Sequence, residues 1–295
     1  MCSVLQQQVS SGRDVEALRR WLPVMLGLAV MYVPTYLDLA HGLWRDEAQA
    51  HGPIILVVAA WLAWRQRAAL AAASAEGDTL AGSAVLALGL ALYIIGRSQH
   101  ILPFEVGSHI PVLAGTVLLL LGWRALARLW FALLFLIFLV PLPGFVVEAI
   151  TGPLKIIVSQ IVESILYTLG YPIARTGVML GIGQYQLLVT DACSGLNSLY
   201  SLAALGFLYL HLAASGNIAR AACLAASILP IALAANVVRV LLLILITFHL
   251  GDEAGQSFLH GFAGLVLFAT ALLLLLGSDV LLRRLPALRG LEPGR

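Results

Sequence analysis

Residues 191–198, with the sequence DACSGLNS, bring a carboxylate, a thiol, two hydroxyls and an amide into an otherwise apolar part of the chain. They follow a short run with strand character and precede a long apolar run typical of a helix. A cysteine at the start of a helix lies where the positive end of the helix dipole favours the reactive thiolate. A free cysteine is also a common small core residue. The octet by itself therefore leaves both a nucleophilic role and a packing role open for Cys193.

Arg239 interrupts a second apolar segment, residues 235–244, with the sequence ANVVRVLLLI. Asn236 precedes it by three positions, so a helix places both side chains on one face. Arg239 is about ten residues, or about 15 Å of helix, from the predicted end of its span, which is a strained distance for snorkelling to the headgroups. Because an arginine keeps its charge, we expect it to be buried against an anionic partner or a polar cavity.

His260 opens the last apolar span of the chain, and it is one of seven histidines, so its type alone says little. With Cys193 and Arg239 it forms a coherent chemical set. An imidazole can take the thiol proton and later protonate a leaving amine, and a guanidinium can stabilise a thiolate or an oxyanion. Acyl transfer from a peptide is the reaction that this set favours. Asp191 either orients His260, pairs with Arg239 or caps the following helix.

The composition identifies an integral membrane protein. Of the 295 residues, 61% are hydrophobic and 11% are charged, with a mean hydropathy of +0.96, whereas soluble domains have about a quarter of charged residues. The net charge of +2 comes from scattered residues and does not favour nucleic-acid binding. The three cysteines, Cys2, Cys193 and Cys223, show neither a CxxC motif nor metal-ligand spacing, so we expect no disulfide framework and no metal or other cofactor.

The apolar runs predict an all-α polytopic membrane protein that forms a single domain over residues 1–295. A spanning helix needs about 20 mostly apolar residues. The eight predicted spans are residues 21–40, 51–65, 79–96, 108–122, 126–142, 196–213, 218–248 and 258–282. The seventh is too long for one straight crossing, and Pro230 is expected to kink or break it.

Charge placement predicts the orientation. With alternating sides, 12 of the 17 basic residues fall on the side of the N-terminus, which is the positive-inside pattern. Residues 1–20 and 283–295 are thus predicted to be cytoplasmic tails, and the first span a retained helix. Residues 143–195 are the largest predicted extracytoplasmic segment. Within it we expect an amphipathic helix over 145–169 along the outer interface, and then a β-hairpin of 177–181 and 185–189 that delivers Asp191 and Cys193 to the outer surface.

Three ordered motifs resemble the exosortase/archaeosortase family of membrane-embedded cysteine transpeptidases: DACSG at 191–195, NVVR at 236–239, and His260 followed four residues later by Gly264. An earlier block agrees, from Trp44 through the HGP run at 51–53 to the WLAWR run at 61–65. The resemblance covers about residues 30 to 275 and is closest to the exosortase B subtype.

The resemblance implies Cys193 as nucleophile, His260 as general base and acid, and Arg239 as electrostatic stabiliser, supported by Asp191, Ser194 and Asn236. It also implies partner proteins of the PEP-CTERM type, which carry a short Pro-Glu-Pro motif, a transmembrane helix and a basic tail. Cleavage is then expected on the periplasmic side of the inner membrane of a bacterium that makes exopolysaccharide, with transfer to an unidentified cell-envelope acceptor.

Three alternatives stay open. A transporter or channel would use Arg239 in an anion pathway, although we see no repeated half. A metal or haem site would use His249, His260 and Cys193, but no HExxH motif supports it. A nucleophilic Ser194 lacks a surrounding GxSxG motif.

Overall fold

The computed structural model describes residues 2–45, 51–72, 77–188, 196–213 and 218–284. Within these ranges only the backbone is described for residues 2–20, 71–72, 150, 196–199, 218 and 259–261. The predicted site residues Asp191, Cys193 and Ser194 therefore lie outside the described residues, and His260 is described by its backbone alone. The chain divides into two compact units, Met1–Pro141 and Leu142–Arg295.

The regular elements in the described part of the first unit are all helices. Its α-helices are α1 (Cys2–His41), α2 (Gly52–Arg65), α3 (Arg67–Ala72), α4 (Thr79–Ser98), α5 (Leu102–Gly107) and α6 (His109–Phe135), with short 3-10 helices at Leu43–Arg45 and Leu136–Leu139. Helix α6 is interrupted at Gly122, whose φ of 74° and ψ of −175° are not helical. This break falls where the sequence predicts one span to end, at residue 122, and the next to begin, at residue 126.

Glycines spaced by seven residues bring α4 against its partners. A Cβ atom added at Gly82 would lie 2.6 Å from the backbone nitrogen of Leu119, and one at Gly89 would lie 2.7 Å from that of Val112. A third, at Gly96, would lie 2.7 Å from the Cα atom of Glu105. These distances are too short for a methyl group, so the backbones touch directly, as small residues allow in membrane helices.

The second unit combines helices with a small sheet. Its elements are α7 (Gly144–Thr168), β1 (Ile173–Thr176), β2 (Met179–Ile182), β3 (Tyr185–Leu188), α8 (Leu196–Ala213), α9 (Ile218–Leu250), α10 (Asp252–Gly261) and α11 (Ala263–Arg284).

The predicted β-hairpin is confirmed, and the structure adds a strand to it. Strands β1, β2 and β3 form an antiparallel sheet in that order, in which Thr176 pairs with Met179 and Ile182 with Tyr185. Each two-residue loop begins with a glycine of positive φ, 64° at Gly177 and 57° at Gly183. Such loops match the twist of the strands, and glycine adopts their first position without strain.

The sheet, α7 and α9 share one hydrophobic core. Helix α7 contributes Val158, Val162 and Leu166, which recur every four residues and are fully buried. They pack with Leu180 and Ile182 of β2, and with a row of apolar residues on α9: Val237, Val240, Leu243 and Ile244. The sheet is therefore held against α9 as part of the core.

The fold class predicted from the sequence is confirmed: an all-α polytopic membrane protein with a small sheet. Six described helical segments are long and apolar enough to cross a membrane, and Gly52–Arg65 and Tyr200–Ala213 are shorter apolar helices. Helix α7 belongs to the six, and its predicted position along the outer interface stays a prediction. Helix α9 continues through Pro230, so no break is observed there, and the kink that was the other expectation stays a prediction.

Candidate functional site

Arg239 and Asn236 are both buried inside the second unit, as the sequence predicts. Their exposed fractions are 4% and 6%. They lie one helical turn apart on α9, which places them on the same face. The Oδ1 atom of Asn236 has no hydrogen-bond partner among the described residues. A buried acceptor of this kind is costly unless a ligand or a further group satisfies it, so its presence points to a functional site.

The chain reverses direction at the end of α9 and runs back along it. Gly251, with a φ of 92°, separates α9 from α10. A Cβ atom added at Gly255 of α10 would overlap the hydroxyl of Thr247 on α9. Three residues later, Phe258 packs against the core cluster that includes Leu243. Helices α9 and α10 therefore form an antiparallel hairpin with close contact near the turn.

Helix α11 continues the same antiparallel pairing over the rest of α9. Leu267 of α11 and Ala235 of α9 belong to one buried cluster. At the far end, Asp279 of α11 accepts hydrogen bonds from Arg220 of α9. The paired residue numbers sum to 502 for Thr247 with Gly255 and for Ala235 with Leu267, and to 499 for Arg220 with Asp279.

This register brings two of the predicted site residues to one level. Arg239 lies between Ala235 and Thr247 on α9, so in the same register it is opposite Ala263, the first residue of α11. His260, in the last turn of α10, is three residues earlier, which is about 4.5 Å along the helix axis. The backbone of His260 is therefore within one helical turn of the level of Arg239.

Helix α8 reaches the same level on α9. It packs antiparallel to α9, and Gly206 of α8 contacts Ile228 of α9. A Cβ atom added at Gly206 would lie 2.9 Å from side-chain carbons of Ile228. Leu196, where α8 begins, is ten residues before Gly206 and therefore about level with Val238, which is ten residues after Ile228. Cys193 precedes Leu196 by three residues in the sequence.

The face of Arg239 points toward these two helices. Ala232 and Ala235 precede it by seven and four residues and therefore share its side of α9. They pack against Leu202 of α8 and Leu267 of α11. Arg239 thus lies on a face of α9 that packs against α8 and α11 before this residue, whereas Leu243, one turn after it, packs in the cluster with α7 and β2.

The model of a family described as transmembrane exosortase matches residues 43–277, which is most of the chain. The chain belongs to the transmembrane exosortase family. The match does not distinguish the exosortase B subtype. No curated protein and no solved structure matches the chain.

Whether the chain could hold a metal ion depends on which ligand side chains lie close together. The described residues contain no group of three or more His, Cys, Asp or Glu residues that could hold a metal ion. The Nε2 atom of His249, one of the proposed ligands, is 3.1 Å from the hydroxyl of Tyr171. The other two proposed ligands, Cys193 and the side chain of His260, lie outside the described side chains.

Asp279 is a buried acid that the sequence patterns did not single out. The side chain of Asp279 is 2% exposed and pairs with Arg220 and Arg283. It lies in the apolar run of the predicted eighth span, so the rule that singled out Arg239 applies equally to it. The apolar context of Asp279 and the arginine four residues after it were the signals available.

A polar cluster at one end of the first unit was also missed. The carboxylate of Glu105, a residue with an exposed fraction of only 4%, accepts hydrogen bonds from Thr35 at 2.6 Å and from Arg97 at 3.1 Å. Arg97 also pairs with Asp38 at 2.6 Å. These contacts tie α1 to α4 and α5.

The neighbouring residues of this cluster have a defined hydrogen-bond direction. The Nδ1 atom of His109 is 2.7 Å from the carbonyl oxygen of Val106 and must donate to it. In the neutral imidazole the Nε2 atom then accepts the hydrogen bond from the hydroxyl of Tyr36, at 2.7 Å. Every polar atom of these contacts is satisfied, so the cluster holds α1 against α6.

Proposed function

We propose that the chain is a membrane-embedded cysteine transpeptidase that cleaves the C-terminal sorting signal of exported proteins, with Cys193 as nucleophile. The observation that carries this proposal is the common level on α9 of three parts of the described chain. These are the buried Arg239, the backbone of His260 and the start of α8 at Leu196. Three residues span at most about 10 Å, so the chain from Leu196 back to Cys193 is short enough for the thiol to reach this level.

In the first half of the reaction, His260 accepts the proton of the Cys193 thiol, and the thiolate attacks the carbonyl carbon of the scissile peptide bond. The guanidinium of Arg239 stabilises the negative charge on the tetrahedral oxyanion. The carbon–nitrogen bond then breaks, His260 gives its proton to the leaving amine, and the substrate remains as a thioester on Cys193.

In the second half, an amine of the cell envelope or a water molecule attacks the thioester carbonyl. His260 takes the proton of the attacking group and returns it to the departing thiolate. Asp191 orients His260 or pairs with Arg239, and Ser194 and Asn236 are further polar groups of the same site. The acceptor decides between transfer and hydrolysis.

The substrate class follows from the family resemblance and from the predicted topology. A sorting signal consists of a Pro-Glu-Pro-type motif, a transmembrane helix and a basic tail. With its basic tail in the cytoplasm, such a helix presents the motif at the periplasmic surface of the inner membrane. The predicted topology, with both termini in the cytoplasm, places Cys193 on that same side.

The test is to trap the thioester. The wild-type chain and the Arg239→Ala, Cys193→Ala and Ser194→Ala variants are each co-expressed with a candidate sorting-signal protein. Mass spectrometry then detects adducts on Cys193. We expect an adduct in the wild type and in Ser194→Ala, none in Cys193→Ala, and processing reduced by about 100- to 1,000-fold in Arg239→Ala.

The control for Arg239→Ala is Arg128→Ala, which removes an exposed arginine of the first unit and should leave processing unchanged. Loss of processing in Ser194→Ala, with Cys193→Ala still active, would support the serine nucleophile. No adduct with any of several candidate substrates, together with uncleaved tails, would contradict the proposal and favour transport.

A further inference from the structure

We propose that the contact between Gly255 and Thr247 sets the position of His260 relative to Arg239. Gly255 and Thr247 are therefore positioning residues for the transfer reaction. This inference rests on the proposed function. It identifies residues that touch neither the substrate nor the reacting atoms, yet govern how the general base meets the other catalytic groups.

The contact leaves no room for a side chain at position 255. A Cβ atom added to Gly255 would overlap the Oγ1 atom of Thr247 and lie 3.2 Å from its Cβ atom and 3.6 Å from its Cα atom. Real Cβ atoms do not approach a heavy atom as closely as this one would approach Oγ1, so a methyl group would push α10 away from α9.

Thr247 cannot easily move aside. Its side chain is fully buried, and its hydroxyl donates a hydrogen bond of 2.9 Å to the carbonyl oxygen of Leu243, one turn earlier on α9. A rotamer change would break this bond in a buried environment, which is costly. The strain of a larger residue at position 255 therefore falls on α10.

Helix α10 passes this displacement on to His260. The helix has only ten residues, and His260 is five residues beyond Gly255, about 7.5 Å along the axis. Phe258 of α10 also packs against α9, in the core cluster with Leu243 and Ile244. A shift of about 1 Å at Gly255 therefore moves the backbone of His260 by a similar amount, and catalytic groups tolerate only about 0.5 Å.

The direction in which Gly255→Ala changes activity separates this positioning role from a role in helix formation alone. Alanine is a better helix former than glycine, so Gly255→Ala would be neutral or favourable if the residue only formed part of α10. Gly277→Ala is the matched control, because no atom lies within 4 Å of an added Cβ at this position of α11.

The experiment is a double-mutant cycle on the full-length chain in lipid nanodiscs. Four forms are compared with the control: wild type, Gly255→Ala, Thr247→Ala and the double variant. Processing of one sorting-signal substrate gives kcat and KM. The alkylation rate of Cys193 by iodoacetamide as a function of pH reports the thiol–imidazole pairing without any substrate. Circular dichroism and size-exclusion chromatography confirm that each form is folded.

We expect Gly255→Ala to lower kcat by about 10- to 100-fold, with KM changed by less than about threefold, and to shift the pH profile of alkylation. Thr247→Ala removes the obstructing hydroxyl, so the double variant should recover at least about tenfold in kcat. Gly277→Ala should behave like the wild type.

A folded Gly255→Ala form with wild-type kcat and an unchanged alkylation profile overturns this inference and leaves the proposed function standing. So does a folded double variant that recovers no activity. A wild-type chain that forms no thioester on Cys193 overturns the proposed function, and this inference with it.

Discussion

Arg220 of α9 donates two hydrogen bonds to a single oxygen atom of Asp279 on α11, from its Nε atom at 2.7 Å and from a terminal nitrogen at 2.5 Å. The other carboxylate oxygen accepts from the hydroxyl of Tyr209 on α8, at 2.7 Å, and from two nitrogens of Arg283. One buried carboxylate therefore joins the three helices that position the candidate site, at the end far from Gly251.

Loss of this carboxylate should destabilise the second unit strongly. Asp279→Ala removes the carboxylate that pairs with Arg220, whose side chain is only 16% exposed. Breaking a buried pair in this way costs about 3 kcal/mol or more. Thermal unfolding of the purified chain in detergent should show a transition several degrees lower than that of the wild type.

Arg283→Gln is the matched control, because Arg283 is 57% exposed and pairs with Asp279 at a spacing of four residues. Because water solvates the exposed guanidinium of Arg283, and Asp279 keeps its bonds to Arg220 and Tyr209, the loss should be about 1 kcal/mol or less. An equal loss in Asp279→Ala and Arg283→Gln would show that burial of the pair is not the source of the stability.

The helices and the hairpin could be predicted because their signals are local. Long apolar runs predict spanning helices from composition alone, and the glycine at 183 marks the tight turn of the predicted hairpin, whereas Gly177, predicted to begin a strand, lies in the turn before β2. Strand β1 was missed because its four residues, IART, contain only one large apolar side chain. Its pairing with β2 and the bond of Arg175 to Glu163 of α7 form only in the folded unit.

The site could be predicted only in part. Burial of Arg239 follows from its place in an apolar run, because a lone charge in such a run must face the interior. Which helices face Arg239 depends on the register of α8 and α11 along α9, and this register is set by contacts between residues far apart in sequence. The contact of Gly255 with Thr247 and the pair of Arg220 with Asp279 are of this kind, so single-sequence patterns do not reveal them.

The glycines of α4 give a second test, since their spacing of seven residues predicts sensitivity to a single methyl group. Gly89→Ala places a Cβ atom 2.7 Å from both the backbone nitrogen and a side-chain carbon of Val112. Overpacking at such a contact costs about 1 to 3 kcal/mol. The apparent melting temperature in detergent should fall accordingly.

Gly27→Ala provides the comparison within the same unit, because an added Cβ on α1 at this position meets no atom within 4 Å. It should be neutral or raise stability by up to about 1 kcal/mol through helix propensity. If Gly89→Ala proved as stable as Gly27→Ala, the conclusion that the backbones of α4 and α6 touch directly at Gly89 would be wrong.

His100 should be a site where glycine stabilises the protein. It follows the end of α4 with a φ of 54°, and the next residue, Ile101, donates a 2.8 Å hydrogen bond back to the carbonyl oxygen of Gly96. This is the capping arrangement in which glycine is normally found. His100→Gly removes the steric cost of a left-handed residue, and it also increases the freedom of the unfolded chain.

The net gain from His100→Gly should be about 0.5 to 1 kcal/mol, measured as a higher midpoint of thermal unfolding. His100→Ala is the control, because alanine retains the Cβ atom that causes the strain and should bring no such gain. Equal stabilisation by both substitutions would instead assign the effect to loss of the imidazole.

Asp78 should make the first unit sensitive to acid. It caps α4: its Oδ1 atom accepts a hydrogen bond of 2.9 Å from the backbone nitrogen of Ala81, and its Oδ2 atom accepts one of 3.1 Å from the indole of Trp123. The bond from Ala81, and next the bond from Trp123, lower the pKa of Asp78 below its ordinary value of 3.8. Because the folded pKa is the lower one, the stabilisation is fully present well above pH 3.8 and is lost as the pH falls below it through the folded pKa.

Asp78→Asn retains an acceptor for the helix cap but does not titrate. The melting temperature of the wild type should therefore exceed that of Asp78→Asn near neutral pH, and the difference should shrink as the pH is lowered from about 5 to about 3. A difference that stays constant over this range would show that ionised Asp78 contributes nothing beyond what the amide provides.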